Sequence, residues 1–181
     1  MQLNRAIGSN MRILGIDPGY AILGYGLVDY NGSKFSIVKY GVVTTEANTS
    51  MPERLKVLYS ELMDIIAEHE PDVASIEELF FNSNAKTAIK VGEARGAAIL
   101  ACANSGLEIY EYTPLQIKQA LSGYGRAEKQ QIQQIVKSIL GLKEVPKPDD
   151  AADAVAAAIC HGNSAGYIDR IARAVKNGNS L

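Results

Sequence analysis

No apolar run in this sequence approaches the ~20 residues that a helix needs to cross a membrane, which excludes a bundle of membrane-spanning helices. The opening MQLNRAIGSN lacks the apolar stretch of a signal peptide, and Met11 begins the first clear strand pattern. Residues 1–10 are therefore read as a tag, a mis-called start or an extension outside the fold, and the expected location is the cytoplasm. Cysteine is scarce. Cys102 and Cys160 each sit in an alanine-rich helical run, where a small buried thiol is the plain reading. No CxxC or Cys/His spacing is present, so a zinc site is not indicated, and the cysteine usage fits a reducing compartment. Internal repeats, low-complexity tracts and long linkers are missing too, which leaves one domain rather than a solenoid or a tandem. No Ser-His-Asp or Cys-His set stands out, so any catalysis must do without a nucleophilic side chain of that kind.

What is present is ordinary globular material: 181 residues, 47% hydrophobic and 21% charged, enough for a sizeable core. The net charge of −2 divides unevenly. Residues 1–112 carry −5 and residues 113–181 carry +3. A basic C-terminal part facing phosphates accounts for this split, and a solvated surface accounts for it equally well. Residues 12–17, 21–30 and 34–44 read as strands, with Asn31-Gly32 favouring a tight hairpin turn because both residues can adopt positive φ. Together they form an antiparallel meander. Residues 51–70 then change period, with Leu55, Leu58, Leu62 and Ile65 on one helix face and Pro71 as the stop. A strand is expected over 72–79, an Ala/Gly-rich helix over 84–104 capped by Gly106, and a strand over 107–113. Thr113, Pro114 and Gln116 make a capping box that opens a short helix ending near Gly123. A helix over 127–140, a proline-containing loop and a last helix DDAADAVAAAICH follow, with Gly162 beyond that helix's end. The fold class is α/β, with a sheet part antiparallel and part parallel.

Acidic residues sit where apolar ones are expected. Asp17 ends an apolar strand before Pro18-Gly19, Glu77 lies inside the strand VASIEELF, and Asp150 and Asp153 share one face of an alanine-rich helix. Clustered carboxylates in a partly buried site repel one another and need a cation or protons. Oxygen-only ligands suit Mg2+ or Mn2+, and paired ions can drive phosphodiester hydrolysis. Each acid also has a simpler reading. Asp149 and Asp150 can cap the last helix, Glu77 or Glu78 can be the exposed face of an edge strand, and Asp17 can be a turn aspartate.

These segments resemble the RuvC-type Holliday junction resolvases. GIDPGYAILGYGLV is similar to the family's first two strands, SIEELFF to its second acidic segment, and NAKTAIKVGEARGAAI to the helix that follows. EYTPLQIKQALSGYGRAEKQQIQ resembles its basic DNA-facing stretch and PDDAADAVAAAICH its closing acidic helix. The resemblance covers residues 11–163 in order, which marks that span as the nuclease domain and 164–181 as a tail. It implies a ribonuclease-H-like mixed sheet of about five strands flanked by helices. It also implies that Asp17, Glu77, Asp150 and Asp153 bind two Mg2+ ions, with Mn2+ as a substitute. The enzyme it implies is a homodimer that makes paired nicks in strands of like polarity across a four-way junction, leaving 5′-phosphate and 3′-hydroxyl ends. RuvA and RuvB are the expected partners. Phe80 matches an aromatic thought to stack on a base, and Lys118 and Lys129 match basic positions that touch phosphate. Lys86, Lys90 and Arg95, on the helix after Glu77, are further DNA-binding candidates, and that helix is the candidate dimer interface. Ser83 stands where some relatives carry a basic residue. His161 and His69 read as helix-end histidines facing a dipole. The competing readings are an actin-like ATPase or sugar kinase, a junction-binding module without catalysis, and a related nuclease with another substrate. The first lacks a second Asp-x-Gly motif here, and the second is expected to have lost an acid.

Overall fold

The computed structural model of the protein describes residues 10–78 and 85–178, with side chains for 10–78 and 87–166. In chain order the elements are β1 (Met11–Asp17), β2 (Ile22–Tyr30), β3 (Phe35–Thr44), α1 (Met51–His69), β4 (Val73–Glu77), α2 (Ala85–Asn104), β5 (Glu108–Tyr112), α3 (Pro114–Ser122), α4 (Lys129–Leu140) and α5 (Asp149–Gly178). The strands form one five-stranded sheet in the order β3-β2-β1-β4-β5. β1, β2 and β3 are the antiparallel meander, while β4 and β5 extend the sheet parallel to β1. This is the mixed, helix-flanked sheet that the sequence predicts.

Local chemistry sets the boundaries. Gly32 takes positive φ at the hairpin turn, but Asn31 does not. The Asn31 side-chain oxygen instead accepts from the backbone N–H groups of Ser33 at 3.2 Å and Lys34 at 2.8 Å, so it builds the turn by hydrogen bonding rather than by a left-handed backbone. α1 ends at Glu70, which adopts φ 47° and donates its N–H to the Ile66 carbonyl before Pro71. The Thr113–Gln116 box opens α3 and left-handed Gly123 closes it, as expected.

Strand alternation sorts the layers. Leu14 and Ile16 of β1, with Ala74 and Ile76 of β4, face α1 and α2 in one core. Ile13 and Val73 face the other way, into the core shared with α3, α4 and α5. α5 lies against the sheet itself. A Cβ at Gly15 would overlap the Ala154 carbonyl, one at Gly24 the Asp150 carbonyl, and one at Gly26 the body of Val155. Glycine inside a strand is costly, and here it admits a helix backbone to contact distance. Buried Ser75 completes the seam by donating to the Ala157 carbonyl at 2.7 Å.

The last helix departs from the sequence reading. It runs through Gly162 to Gly178 rather than ending before Gly162. Gly162 is small for a packing reason, because a Cβ there would strike the Phe35 ring. His161 is accordingly mid-helix and not a helix-end residue. It is 2% exposed, its Nδ1 lies 2.9 Å from the Tyr112 hydroxyl, and its ring lies 4.2 Å from that of Tyr110. Burial pushes its pKa down to about 4. Between that value and an unfolded value of ~6.5 the unfolded chain takes up a proton and the folded chain does not, so this residue costs stability as pH falls through that window, by about 3 kcal/mol in total. The expected observation is an imidazole resonance that titrates near pH 4 in the folded protein; a midpoint near 6.5 would contradict it. His69 does end α1, and its backbone carbonyl accepts from Arg12 Nη1 at 2.8 Å. Among the described residues, no helix is long and apolar enough to cross a membrane.

Candidate active site

Asp17 has the same strand parity as Ile13 and Gly15, so it projects toward α5 at the C-terminal end of β1. Glu77 has the parity of Val73 and Ser75 and projects toward α5 at the end of β4. The register Ile16↔Ile76 sets these two strand ends side by side. Asp17 also pairs across to Gly24, and Gly24 touches the Asp150 backbone. The missing side chain at Gly24 therefore brings the first turn of α5 to the end of β1, with Asp150 and Asp153 on it. Their three-residue spacing puts both on one helix face.

The charges register this convergence. The Asp17 pKa rises to about 7, first through burial and then through the charges of Asp153 and Asp150, with Lys129 opposing. Glu77 also rises to about 7, through burial and then Asp17 and Asp153, with Lys129 and Lys118 opposing. Asp153 is raised by burial against the pull of Lys129. The four predicted acids thus share one electrostatic neighbourhood. Glu78 continues the ladder through its backbone, donating to the Tyr112 carbonyl at 2.8 Å, and its parity is opposite to that of Glu77. The pKa of exposed Asp149 is lowered by the neighbouring Gln133 side chain and by Lys129.

Lys129 is the cation within this group. Its Nζ lies 2.9 Å from Asp153 Oδ2 and 3.3 Å from Asp149 Oδ2, at the first residue of α4. Burial works to lower its pKa, but the bonds to Asp153 and Asp149 win and hold it raised. Lys118 is close enough to Glu77 to stabilise its charge. Lys90 Nζ lies 5.4 Å from the Tyr20 ring centroid, beside the turn that follows Asp17. Arg95 is paired with Glu111 of β5. Lys86 falls in α2, but its side chain and all of Phe80 lie outside the described residues.

Among the described residues, no three His, Cys, Asp or Glu side chains close around a single point as a finished metal cage. The donor set nevertheless suits hard divalent cations. It offers carboxylate oxygens only, and burial plus mutual repulsion raise the pKa of both Asp17 and Glu77, a cost to their charged forms that added positive charge relieves.

Tyr20, Arg54 and the β2 glycines also shape this site, and the sequence reading passed over them. The signals were there. Arg54 lies four residues before Leu58 on the buried stripe of α1, and Gly24 and Gly26 interrupt an otherwise branched and aromatic strand.

A mixed sheet in this order, with acids at the ends of two adjacent parallel strands and on a helix crossing the same face, defines a ribonuclease-H-like fold. The sequence model for the family described as crossover junction endodeoxyribonuclease RuvC matches residues 13–161. The crossover junction endodeoxyribonuclease RuvC of Alkaliphilus oremlandii is 58% identical over 159 residues, covering 88% of this chain and 97% of that protein. Thermus thermophilus RuvC superposes with a TM-score of 0.81 at 37% identity, over 87% of this chain and 96% of that one. The same Thermus protein in complex with Holliday junction substrate gives a TM-score of 0.80 at 35% identity, with the same coverage. The chain belongs to the RuvC family.

Proposed function

We propose that this chain is a metal-dependent endonuclease that resolves four-way DNA junctions by paired symmetric nicks in strands of like polarity, in recombination and repair. The observation that carries the reading is the convergence of Asp17, Glu77, Asp150 and Asp153 beside basic residues of α3 and α4, on a chain of this family. The proposed ion ligands are these four acids, and the proposed complement is two Mg2+ ions, with Mn2+ as a substitute. Bound there, divalent cations supply positive charge against the attacking and leaving oxygens of a phosphodiester. The chain's own residues do the rest. Asp17 and Glu77, fixed at strand ends, define one wall of the site, and Asp150 and Asp153 define the other from α5. Lys129 neutralises Asp153 and Asp149 in the free protein, so an arriving phosphate or ion competes for one of these partners. Lys118 faces the same space and takes a phosphate oxygen.

Phe80 is proposed to stack on a base at the junction, with Lys86, Lys90 and Arg95 of α2 completing the DNA surface. The proposed assembly is a homodimer, which two coordinated nicks require. The outward face of α2 supports it, since Ile89 is 65% and Leu100 is 53% exposed, and Gly92 and Gly96 between them meet nothing within 4 Å of an added Cβ. RuvA and RuvB are the proposed partners, and the cytoplasm the proposed setting. The nuclease domain is proposed to span 11–163, with α5 continuing beyond it to Gly178.

Competition binding tests the substrate reading. A four-way junction is expected to displace labelled junction from the protein far better than linear duplex of equal length; equal competition would remove the junction specificity. Lys118→Ala is expected to weaken junction binding and to lower the slope of log K against log salt by about one, the signature of one lost phosphate contact. An unchanged slope would return Lys118 to the ordinary surface.

A further inference from the structure

Arg54 is a buried guanidinium, 9% exposed, to which the described structure gives no carboxylate partner. Burying an uncompensated charge is expensive, so its location asks for a reason. Glu53, its neighbour, is turned away to the α1 cap, where its Oε2 accepts from the Ser50 N–H at 2.9 Å and hydroxyl at 2.7 Å. Arg54 lies between the loop that follows β3 and the turn that follows β1. Nη1 donates to Thr45 Oγ1 at 3.2 Å, Nε donates to the Thr49 carbonyl at 3.4 Å, and the guanidinium carbon lies 5.6 Å from the Tyr20 ring centroid. Thr45 passes the connection on. Its hydroxyl donates to the Tyr20 carbonyl at 2.7 Å, and its N–H donates to the Ala21 carbonyl at 3.0 Å.

The receiving segment is the β1–β2 turn, Pro18 to Ala21, which begins immediately after Asp17. Its other attachments are equally tight. Gly19 sits against the Ile22 carbonyl with no room for a Cβ, and the Tyr20 ring packs on the core formed with α1 and α2. Lys90 of α2 lies on that same ring. Hydrogen bonds from Thr45, just past β3, and the approach of the Arg54 guanidinium of α1 to the Tyr20 ring thus converge on a turn whose first neighbour is a proposed ion ligand. Groups one step removed from a metal site commonly orient its ligands, and their loss costs ~10–100-fold in affinity or activity.

We propose that Arg54, acting through Thr45 on the Tyr20 carbonyl, is a positioning residue for Asp17. This rests on the reading of Asp17 as an ion ligand. The relay does not touch substrate. It fixes the path of residues 18–21, and with it the direction in which the Asp17 carboxylate leaves β1.

The test compares Thr45→Val, which deletes the relay hydroxyl at constant shape, with Thr45→Ser, which keeps it, beside Arg54→Met and Asp17→Asn. Thr45 is only half-buried, so its variants serve if Arg54→Met does not fold. Three quantities are read: the midpoint of Mn2+ binding by the DNA-free protein, junction affinity in EDTA, and single-turnover cleavage of a saturated junction. Thr45→Val and Arg54→Met are expected to weaken Mn2+ binding and slow cleavage about tenfold or more. Junction affinity should stay within about twofold on the same principle, since positioning acts on the ion site. Thr45→Ser should restore both. Melting temperatures lowered in the valine variant with Mn2+ binding and rate intact would make the relay merely structural and overturn the proposal. A loss of junction affinity with an altered salt slope would make Arg54 a DNA contact and overturn it as well. Asp17→Asn separates the two levels. If it leaves Mn2+ binding and cleavage unchanged, the ligand reading itself fails; if it abolishes both while Thr45→Val behaves as wild type, only the relay fails.

Discussion

Asp17→Asn is expected to reduce junction cleavage by more than about 100-fold while raising the stability of the protein in EDTA at pH 8. The first effect follows from the loss of a direct ion ligand, which should exceed the ~10–100-fold typical of residues one step further out. The second follows from the carboxyl's cost to the fold. Burial and the neighbouring acids raise the Asp17 pKa from its ordinary value to about 7. A group whose folded pKa is raised is harmless below its unfolded value. Its penalty grows as pH rises from about 4 to 7 and is complete above that. Asparagine carries no such penalty, so the gain at pH 8 is on the order of 2–4 kcal/mol and vanishes near pH 4. Divalent cation should recover the same energy for the wild type, so its melting temperature rises on adding Mg2+ and that of the variant rises less. Thermal melts at the two pH values, with and without Mg2+, check all of this. Lower stability of the variant in EDTA at pH 8, or substantial cleavage, would remove Asp17 from the proposed centre.

Gly24→Ala is expected to damage both fold and activity, although glycine to alanine usually stabilises. The added Cβ meets the Asp150 carbonyl and the Ala151 nitrogen, which are backbone and cannot rotate away. α5 must shift, at a cost of ~1–3 kcal/mol for overpacking. In a domain of this size that lowers the melting temperature by roughly 3–10 °C. The helix that shifts carries Asp150 and Asp153, so cleavage should fall further than stability alone explains, by ~100-fold for a displacement near 1 Å. Gly166 provides the contrast. It lies on the same helix, and a Cβ there meets nothing within 4 Å, so Gly166→Ala should be neutral or slightly stabilising. Equal behaviour of the two variants would show that α5 does not depend on the close approach at β2.

These contrasts show which features are local in origin. The meander, the α1 stripe, the Thr113 box and Gly106 at the end of α2 are written in neighbouring residues and are readable from them. So is the parity that sends Asp17 and Glu77 to one face of the sheet, because alternation in a strand fixes it. The continuation of α5 past Gly162 is not legible locally, because a glycine after a helical run can end the helix or leave a gap for a ring, and only the position of Phe35 decides between them. Asn31 favours turns both through positive φ and through side-chain bonding, and here it uses the second. The pairing of Lys129 with Asp153 joins residues on different helices and depends on how α4 packs against α5, which no local pattern encodes. Arg54 is visible as a charge on an apolar stripe, but its partners come from the loop after β3 and from the turn after β1.

The most direct measurement is cleavage of a synthetic mobile four-way DNA junction in Mg2+, beside linear duplex and beside the same reaction in EDTA. Paired nicks are expected at symmetric positions in two strands of like polarity, on the junction only and only with the divalent ion. Nicking that persists in EDTA, or a duplex cut as readily as the junction, would contradict that expectation.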